Sequence, residues 1–241
     1  MSLPKHFVRP SAREVRGIPD FSRQRSTVDL SHTIEDGMIT YRGLPAPVIC
    51  DYLTRERSRA VYAPGTEFQI GKIEMVANTG TYIDSPFHRF EDRRDISQMP
   101  LHDLVDLDCV VVRVTDVLDI GPEAFDRRDI KGKAVLIHTG WDANWRTDRY
   151  FESYPHLNEN AAHQLAERGA TLVGIDSFNI DSTSTGARPV HSVLLGHDIP
   201  IVEHLCNLAA LPDVGARFTA APAPVRGMGS FPVRAFAIVG T

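Results

Sequence analysis

Apolar residues in this chain fall mostly into short runs with the length of strands. "DCVVVRVTDV" (108–117), "KAVLIHTGW" (133–141) and "TLVGIDSF" (171–178) each read as a buried strand. "EFQIGKIEMVAN" (67–78) alternates instead, with Phe68, Ile70, Ile73 and Met75 as its apolar positions, and predicts a strand bent at Gly71. "FPVRAFAIVG" (231–240) predicts a closing strand, and "STVDLSHTI" (26–34) the first regular structure. Helical patterning is rarer. "NENAAHQLAERG" (158–169) is the clearest helix: Asn158 can cap it, Glu159 lies in the first turn, and Gly169 supplies the stop. "GPEAFDRR" (121–128) predicts a short helix with Pro near its first turn. "HSVLLGHDIPIVEHLCNLAAL" (191–211) predicts a short helix, a tight turn, a strand and a further short segment.

Strands outnumber helices, and one helix leads directly into a strand. The expected class is therefore α/β, a single domain with a central mixed sheet or open barrel flanked by helices. No repeat, low-complexity tract or linker divides the chain, so residues 28–241 are taken as one domain. Residues 1–27 carry Pro4, Pro10, Pro19 and five arginines and read as an N-terminal arm suited to wrapping a partner subunit. The stretch "EDGMITYRGLPAPVI" is turn-rich, and residues 51–66 are charged and irregular. The latter read as an exposed loop, the alternative being a mobile loop beside a site.

Composition narrows the function classes. With 42% apolar and 24% charged residues, the 241-residue chain is ordinary for a soluble globular protein, and a net charge of -5 gives no electrostatic reason to expect nucleic acid or an anionic membrane as partner. No run reaches the roughly 18–20 apolar residues of a membrane span, and "MSLPKHFVRPSAREVRG" lacks the apolar core of a secretory signal. Cys50, Cys109 and Cys206 form no CxxC pair and read as free thiols, buried as small hydrophobes in a reducing compartment, so the expected location is cytoplasmic.

No GxSxG elbow, Walker loop, GxGxxG or HExxH motif is present, and paired cysteines for a zinc ribbon are missing. Ligand-type residues gather instead in "NTGTYIDSPFH" (78–88). In extended chain Asn78, Gly80, Tyr82, Asp84, Pro86 and His88 share one face, which then carries an amide, a phenol, a carboxylate and an imidazole. Taken singly, each residue has a plain alternative. Asp84 before Ser-Pro suits a turn cap, His88 an exposed loop, and His191 a helix start. Glu203 is harder to set aside, because it ends the apolar run "IPIV" and a carboxylate there needs a partner. His102, His138, His163 and His204 read as structural or exposed.

Taken together, these segments resemble the cyclase-type metal hydrolases that include bacterial kynurenine formamidase and isatin hydrolase. That family carries His-x-Gly-Thr-His-x-Asp-x-Pro-x-His, and the frame here is Asn78-Thr79-Gly80-Thr81-Tyr82-Ile83-Asp84-Ser85-Pro86-Phe87-His88. "VDLSHTIEDGM", "VLIHTGWD", "LVGIDSFNID", "HSVLLGHDIPIVEHLCNL" and "PVRAFAIV" follow in the family's order, so the likeness runs from about Asp29 to the C-terminus. It implies the swivelling β/β/α fold and assembly as a homodimer or homotetramer. It also implies a metal held by Asp84, His191 and Glu203, His88 as general acid/base, and an aromatic substrate contact near Tyr41.

Two of the family's ligand histidines are Asn78 and Tyr82 here. An amide oxygen suits hard cations better than zinc, and a phenol must lose a proton of pKa about 10 before it ligates well. These two positions are thus weak metal or oxyanion contacts at best. Asp84, His191 and Glu203 supply a charge that balances one divalent ion, expected to be Zn or Mn with Mg or Ca tenable, and no organic cofactor is implied. The expected activity is hydrolysis of a small amide, cyclic amide or lactone by water activated at that ion. The alternative is a non-catalytic or functionally drifted member binding a small ligand in the same pocket.

Overall fold

The computed structural model describes residues 25–240. The strands are β1 (Ser26–Asp29), β2 (Val48–Leu53), β3 (Ile70–Glu74), β4 (Tyr82–Asp84), β5 (Leu107–Arg113), β6 (Asp119–Ile120), β7 (Ala134–His138), β8 (His156–Leu157), β9 (Leu172–Ile175), β10 (Ile201–Glu203), β11 (Val214–Thr219), β12 (Ser230–Pro232) and β13 (Phe236–Val239). The helices are α1 (Arg55–Ser58), α2 (Glu159–Glu167) and α3 (Pro189–Gly196). Nine strands form one mixed sheet in the order β1-β13-β11-β5-β7-β9-β10-β4-β12, parallel from β5 through β10 and antiparallel elsewhere.

β12 and β13 are consecutive in sequence yet lie near opposite ends of this order. The short link between them ties the ends together: Val233 N donates to Thr81 O, and Leu30 N donates to Ala235 O. The sheet is therefore curled into a half-barrel, as the mixed sheet or open barrel expected from the sequence. Strand alternation divides the core in two. Cys109, Val111, Leu136 and Leu172 point inward with Val202 and Phe218, while Val110, Val112, Val135, Ile137 and Ile175 point outward to α2 and α3. α2 begins as expected, with Asn158 Oδ1 accepting from Ala161 N at 3.0 Å, and Gly169 beyond its end has φ +76°.

Several segments differ from expectation. Residues 51–53 complete β2, and α1 follows, so the stretch read as irregular holds a strand end and a helical turn. β2 pairs only with β3, and this ribbon does not pack on the main sheet, which is why Ile70 and Ile73 are exposed despite their alternation. "GPEAFDRR" forms a 3-10 turn at Pro122–Phe125 rather than an α-helix. The closing strand is split into β12 and β13 because its two halves pair at different edges. Cys109 and Cys206 are buried as expected, but Cys50 is exposed on β2. The expected arm lies outside the described residues up to position 24, while Ser26 and Thr27 already belong to β1. No helix among the described residues is long and apolar enough to cross a membrane.

Candidate metal centre

Three neighbouring strands assemble most of the site through their register. Glu203 on β10 lies opposite Tyr82 on β4, and Ser230 on β12 lies opposite Asp84. Directly opposed side chains on one face meet: Tyr82 Oη donates to Glu203 Oε2, and Ser230 Oγ donates to Asp84 Oδ1. The strand holds only Tyr82–Asp84. Gly80 precedes it at φ +67°, and Pro86–His88 turn back as a 3-10 helix. The alternation expected over residues 78–88 thus holds for Tyr82 and Asp84, whereas Asn78 and His88 reach the same place through turns. A Cβ on Gly229 would lie 2.6 Å from His88 Cα, so glycine there lets β12 pass close enough for Ser230 to meet His88.

His191 enters from the first turn of α3. Asp181 fixes this turn with three bonds, two of them to His191: Oδ1 accepts from Val190 N at 2.8 Å, and Oδ2 accepts from His191 N at 2.9 Å and from His191 Nδ1 at 2.6 Å. An ionised carboxylate only accepts, so Nδ1 carries a proton and Nε2 is the nitrogen turned toward Asp84 and Glu203. Nε2 lies 3.6 Å from Asp84 Oδ2 and 3.8 Å from Glu203 Oε1. Both separations leave room for a divalent ion at about 2.0–2.2 Å from each atom, although the three residues whose donor atoms all lie within 4.8 Å of one another are Asp84, His88 and His191, not Glu203. Asp84 Oδ2 is fully buried and has no hydrogen-bond partner, an orphaned acceptor of the kind a cation satisfies. The 4.8 Å grouping with Asp84 and His191 sets His88 beside this point.

The electrostatics suit a site that takes up a cation. Burial pushes the Glu203 carboxyl up to about 7, with Asp84 adding to the shift. Burial opposes the His191 cation, yet Asp181, Asp84 and Glu203 together raise its pKa to about 10. A proton on His191 is thus the counter-charge that a divalent ion would replace. Tyr82 is raised as well: burial first, then Glu203 and Asp84, hold its phenol well above its ordinary pKa, so it stays protonated. Its one O–H is directed at Glu203, so the position acts as a neutral donor to that carboxylate.

Ser230 links Asp84 to His88. Its single proton goes to Asp84, so the contact with His88 Nδ1 at 2.9 Å must have the imidazole N–H as donor, leaving Nε2 as the basic nitrogen. Asn78 Nδ2 also donates to Ser230 Oγ, at 3.3 Å. His88 is part-exposed, whereas Asp84 and Glu203 are not. A cavity of about 420 Å³ opens over these groups and is lined by Asn78, Tyr82, His88, His191 and Glu203, with Tyr41 on its wall. Tyr41 packs on Phe178 with ring centroids 4.7 Å apart.

All seven residues singled out from the sequence therefore gather at one place. Asp181 and Ser230 escaped that reading. Asp181 stands ten residues before His191 with no helical pattern linking them, and a lone serine at the start of a strand carries no signal. His102 and His163 are largely exposed, as expected. His204 is fully buried behind Tyr82, and burial lowers its pKa to about 3.

Asp181 gives a direct prediction. Asp181→Asn keeps the size of the side chain but leaves an amide where Nδ1–H and a helix N–H require acceptors. Affinity for Zn or Mn is expected to fall about 10- to 100-fold, read by competition with a chromophoric chelator, and unchanged affinity would show that Asp181 does not orient the donor.

Comparisons with known proteins agree with the geometry. The sequence profile of the putative cyclase family matches residues 28–182. Kynurenine formamidase of Bacillus anthracis is 25% identical over 210 residues, covering 86% of this chain and 95% of that protein. The enzyme of the same name from Bacillus cytotoxicus is 26% identical over 212 residues, with the same coverage. Isatin hydrolase A from Labrenzia aggregata, solved with benzyl benzoate, superposes with a TM-score of 0.77 at 22% identity, covering 90% of this chain and 94% of that one. A potential metal-dependent hydrolase with cyclase activity superposes at 0.74 with 26% identity, covering 89% and 98%. With the profile spanning well over half of its length, the chain belongs to the putative cyclase family.

Proposed function

We propose that this protein is a hydrolase using a single divalent metal ion to cleave the acyl bond of a small amide, cyclic amide or lactone. One observation carries the reading. Asp84 Oδ2 and Glu203 Oε1 each lie within 3.8 Å of His191 Nε2, Asp84 Oδ2 has no other partner, and His88 has a donor atom within 4.8 Å of those of Asp84 and His191. The relatives named kynurenine formamidase and isatin hydrolase, and the metal-dependent hydrolase among the solved structures, support it.

Asp84, His191 and Glu203 would hold the ion, and two carboxylates with one imidazole suit Zn or Mn. When bound, such an ion polarises an acyl oxygen and lowers the pKa of a water molecule toward ~7. The remaining roles belong to the chain. His88 Nε2 accepts the proton of the attacking water and then delivers one to the departing nitrogen or oxygen, so the acyl C–N or C–O bond breaks to give an acid and an amine or alcohol. Ser230 keeps that imidazole in the Nδ1–H tautomer by accepting its proton while donating to Asp84. Asn78 steadies Ser230, and Tyr82 steadies Glu203. These two residues stand where the family frame has ligand histidines, and as hydrogen-bond donors they favour one ion over two. Tyr41 offers a ring against which an apolar or aromatic substrate body packs.

The test is an assay of a formyl arylamine, isatin and a simple lactone with Zn- or Mn-loaded protein, repeated with chelator. Turnover of at least one, abolished by chelator and restored by metal, is expected. Ligand-dependent thermal stabilisation with no turnover of any would replace this reading with a binding module.

A further inference from the structure

We propose that the substrate carries a carboxylate, and that Arg89 and Arg188 form the subsite that receives it. The inference rests on the hydrolase reading and adds what the other end of the substrate must be.

Three arginines line the cavity, and they differ. Arg42 is neutralised by Asp148 at 3.0 Å and Glu152 at 3.5 Å. Arg89 and Arg188 have no carboxylate within 4.0 Å among the described residues, as no ion pair includes them. Unpaired guanidinium groups are common on surfaces, so this alone decides nothing. Their fixation is the second observation. Arg89 Nε donates to Ser192 Oγ at 3.1 Å, and Ser192 Oγ donates to Arg188 O at 2.8 Å, which joins both residues through the start of α3. Arg188 Nη1 donates to Thr185 O at 2.8 Å and Ala187 O at 2.7 Å. Those bonds hold the two side chains while leaving both Nη groups of Arg89 and the Nη2 group of Arg188 for another acceptor. A positioned guanidinium edge matches a carboxylate by paired N–H donors, and little ordering remains to be done on binding.

Charge bookkeeping in the cavity points the same way. The acids at its floor, Asp84 and Glu203, face the ion position, and Arg42 already has its partners. The uncommitted charge at the rim is therefore positive, on a chain whose net charge is -5. Asn179, also on the cavity, has its Oδ1 taken by Asp181 N at 3.0 Å and adds no acceptor facing an anion. The floor handles an acyl group, the Tyr41 wall a ring, and the arginine rim an anion.

The probes are 3-formamidobenzoate and its neutral isostere 3-formamidobenzamide, compared on metal-loaded protein by calorimetric binding and by hydrolysis. The carboxylate is expected to bind about tenfold more tightly or better, as one charge-assisted pair would give. Arg89→Ala and Arg188→Gln should each bring that ratio toward one with metal content and melting temperature unchanged. Arg89→Ala is the cleaner variant, since Arg188 also ties residues 182–187. Equal binding of the two probes by wild type would overturn the proposal. So would a preference that persists in both variants, because the anion would then be held at the ion itself. Absence of turnover with both probes would count against the hydrolase reading alone, since the binding ratio still reports on the arginines.

Discussion

Replacing Asp84 with Asn is expected to remove the bound divalent ion and turnover together, lowering kcat/KM by about 10³-fold or more. Asp84 is fully buried, with Ser230 donating to Oδ1 and His191 Nε2 3.6 Å from Oδ2, where the proposed ion would sit. Asn has nearly the same volume and preserves the packing between β10 and β12. It removes the negative charge and places either a weak amide oxygen or an N–H toward His191. Loss of metal should therefore not be accompanied by unfolding. Burial disfavours the Asp84 carboxylate, but His88, His191 and Ser230 outweigh it and hold its pKa below the ordinary value, so the variant's melting temperature without metal should fall modestly below that of wild type. Metal analysis with a thermal scan checks both halves. Full metal content in Asp84→Asn would remove this residue from the ligand set.

The second large effect is expected at His88. His88→Ala should lower kcat about 10²- to 10⁴-fold while metal content stays that of wild type. The separation follows from geometry. His88 reaches the site through Ser230 and is part-exposed, whereas Asp84 and Glu203 are buried around His191. Removing the imidazole takes away the proposed proton acceptor but leaves Asp84, His191 and Glu203 in place. Ser230→Ala should give a milder loss with a displaced pH profile, because the Nδ1–H tautomer of His88 is then no longer enforced. Activity of His88→Ala within a few-fold of wild type would take His88 out of the mechanism.

Much of this arrangement could be read from the residues, and the gaps have physical causes. Strands β5, β7 and β9 and helix α2 carry their own signals: near-continuous apolar runs and a capped amphipathic turn. β2 carries none, because its ribbon buries neither face, and charge and proline then look like loop. β12 and β13 look like one strand because the change of sheet edge between them is a tertiary event. In the site, Asp84 and His88 were visible through the spacing of one segment, and Glu203 through a carboxylate ending an apolar run. Joining them to His191 needed the family resemblance, since the register of β4 on β10 is not written locally. Ser230 and Asp181 act only through residues more than a hundred or exactly ten positions away, and no local pattern marks either. Tyr82 is the instructive case. Sequence raised it as a weak ligand, and the structure gives its hydroxyl to Glu203 and raises its pKa, the behaviour of a donor.

The most direct test of the central claim is the metal content of the full chain purified without chelator and then equilibrated with Zn or Mn. The account predicts about one ion per chain, bound with release of the proton from His191 as a metal–ligand exchange requires. Two ions per chain would contradict the reading of Asn78 and Tyr82 as hydrogen-bond donors, and none, even after metal is added, would contradict the metal centre itself.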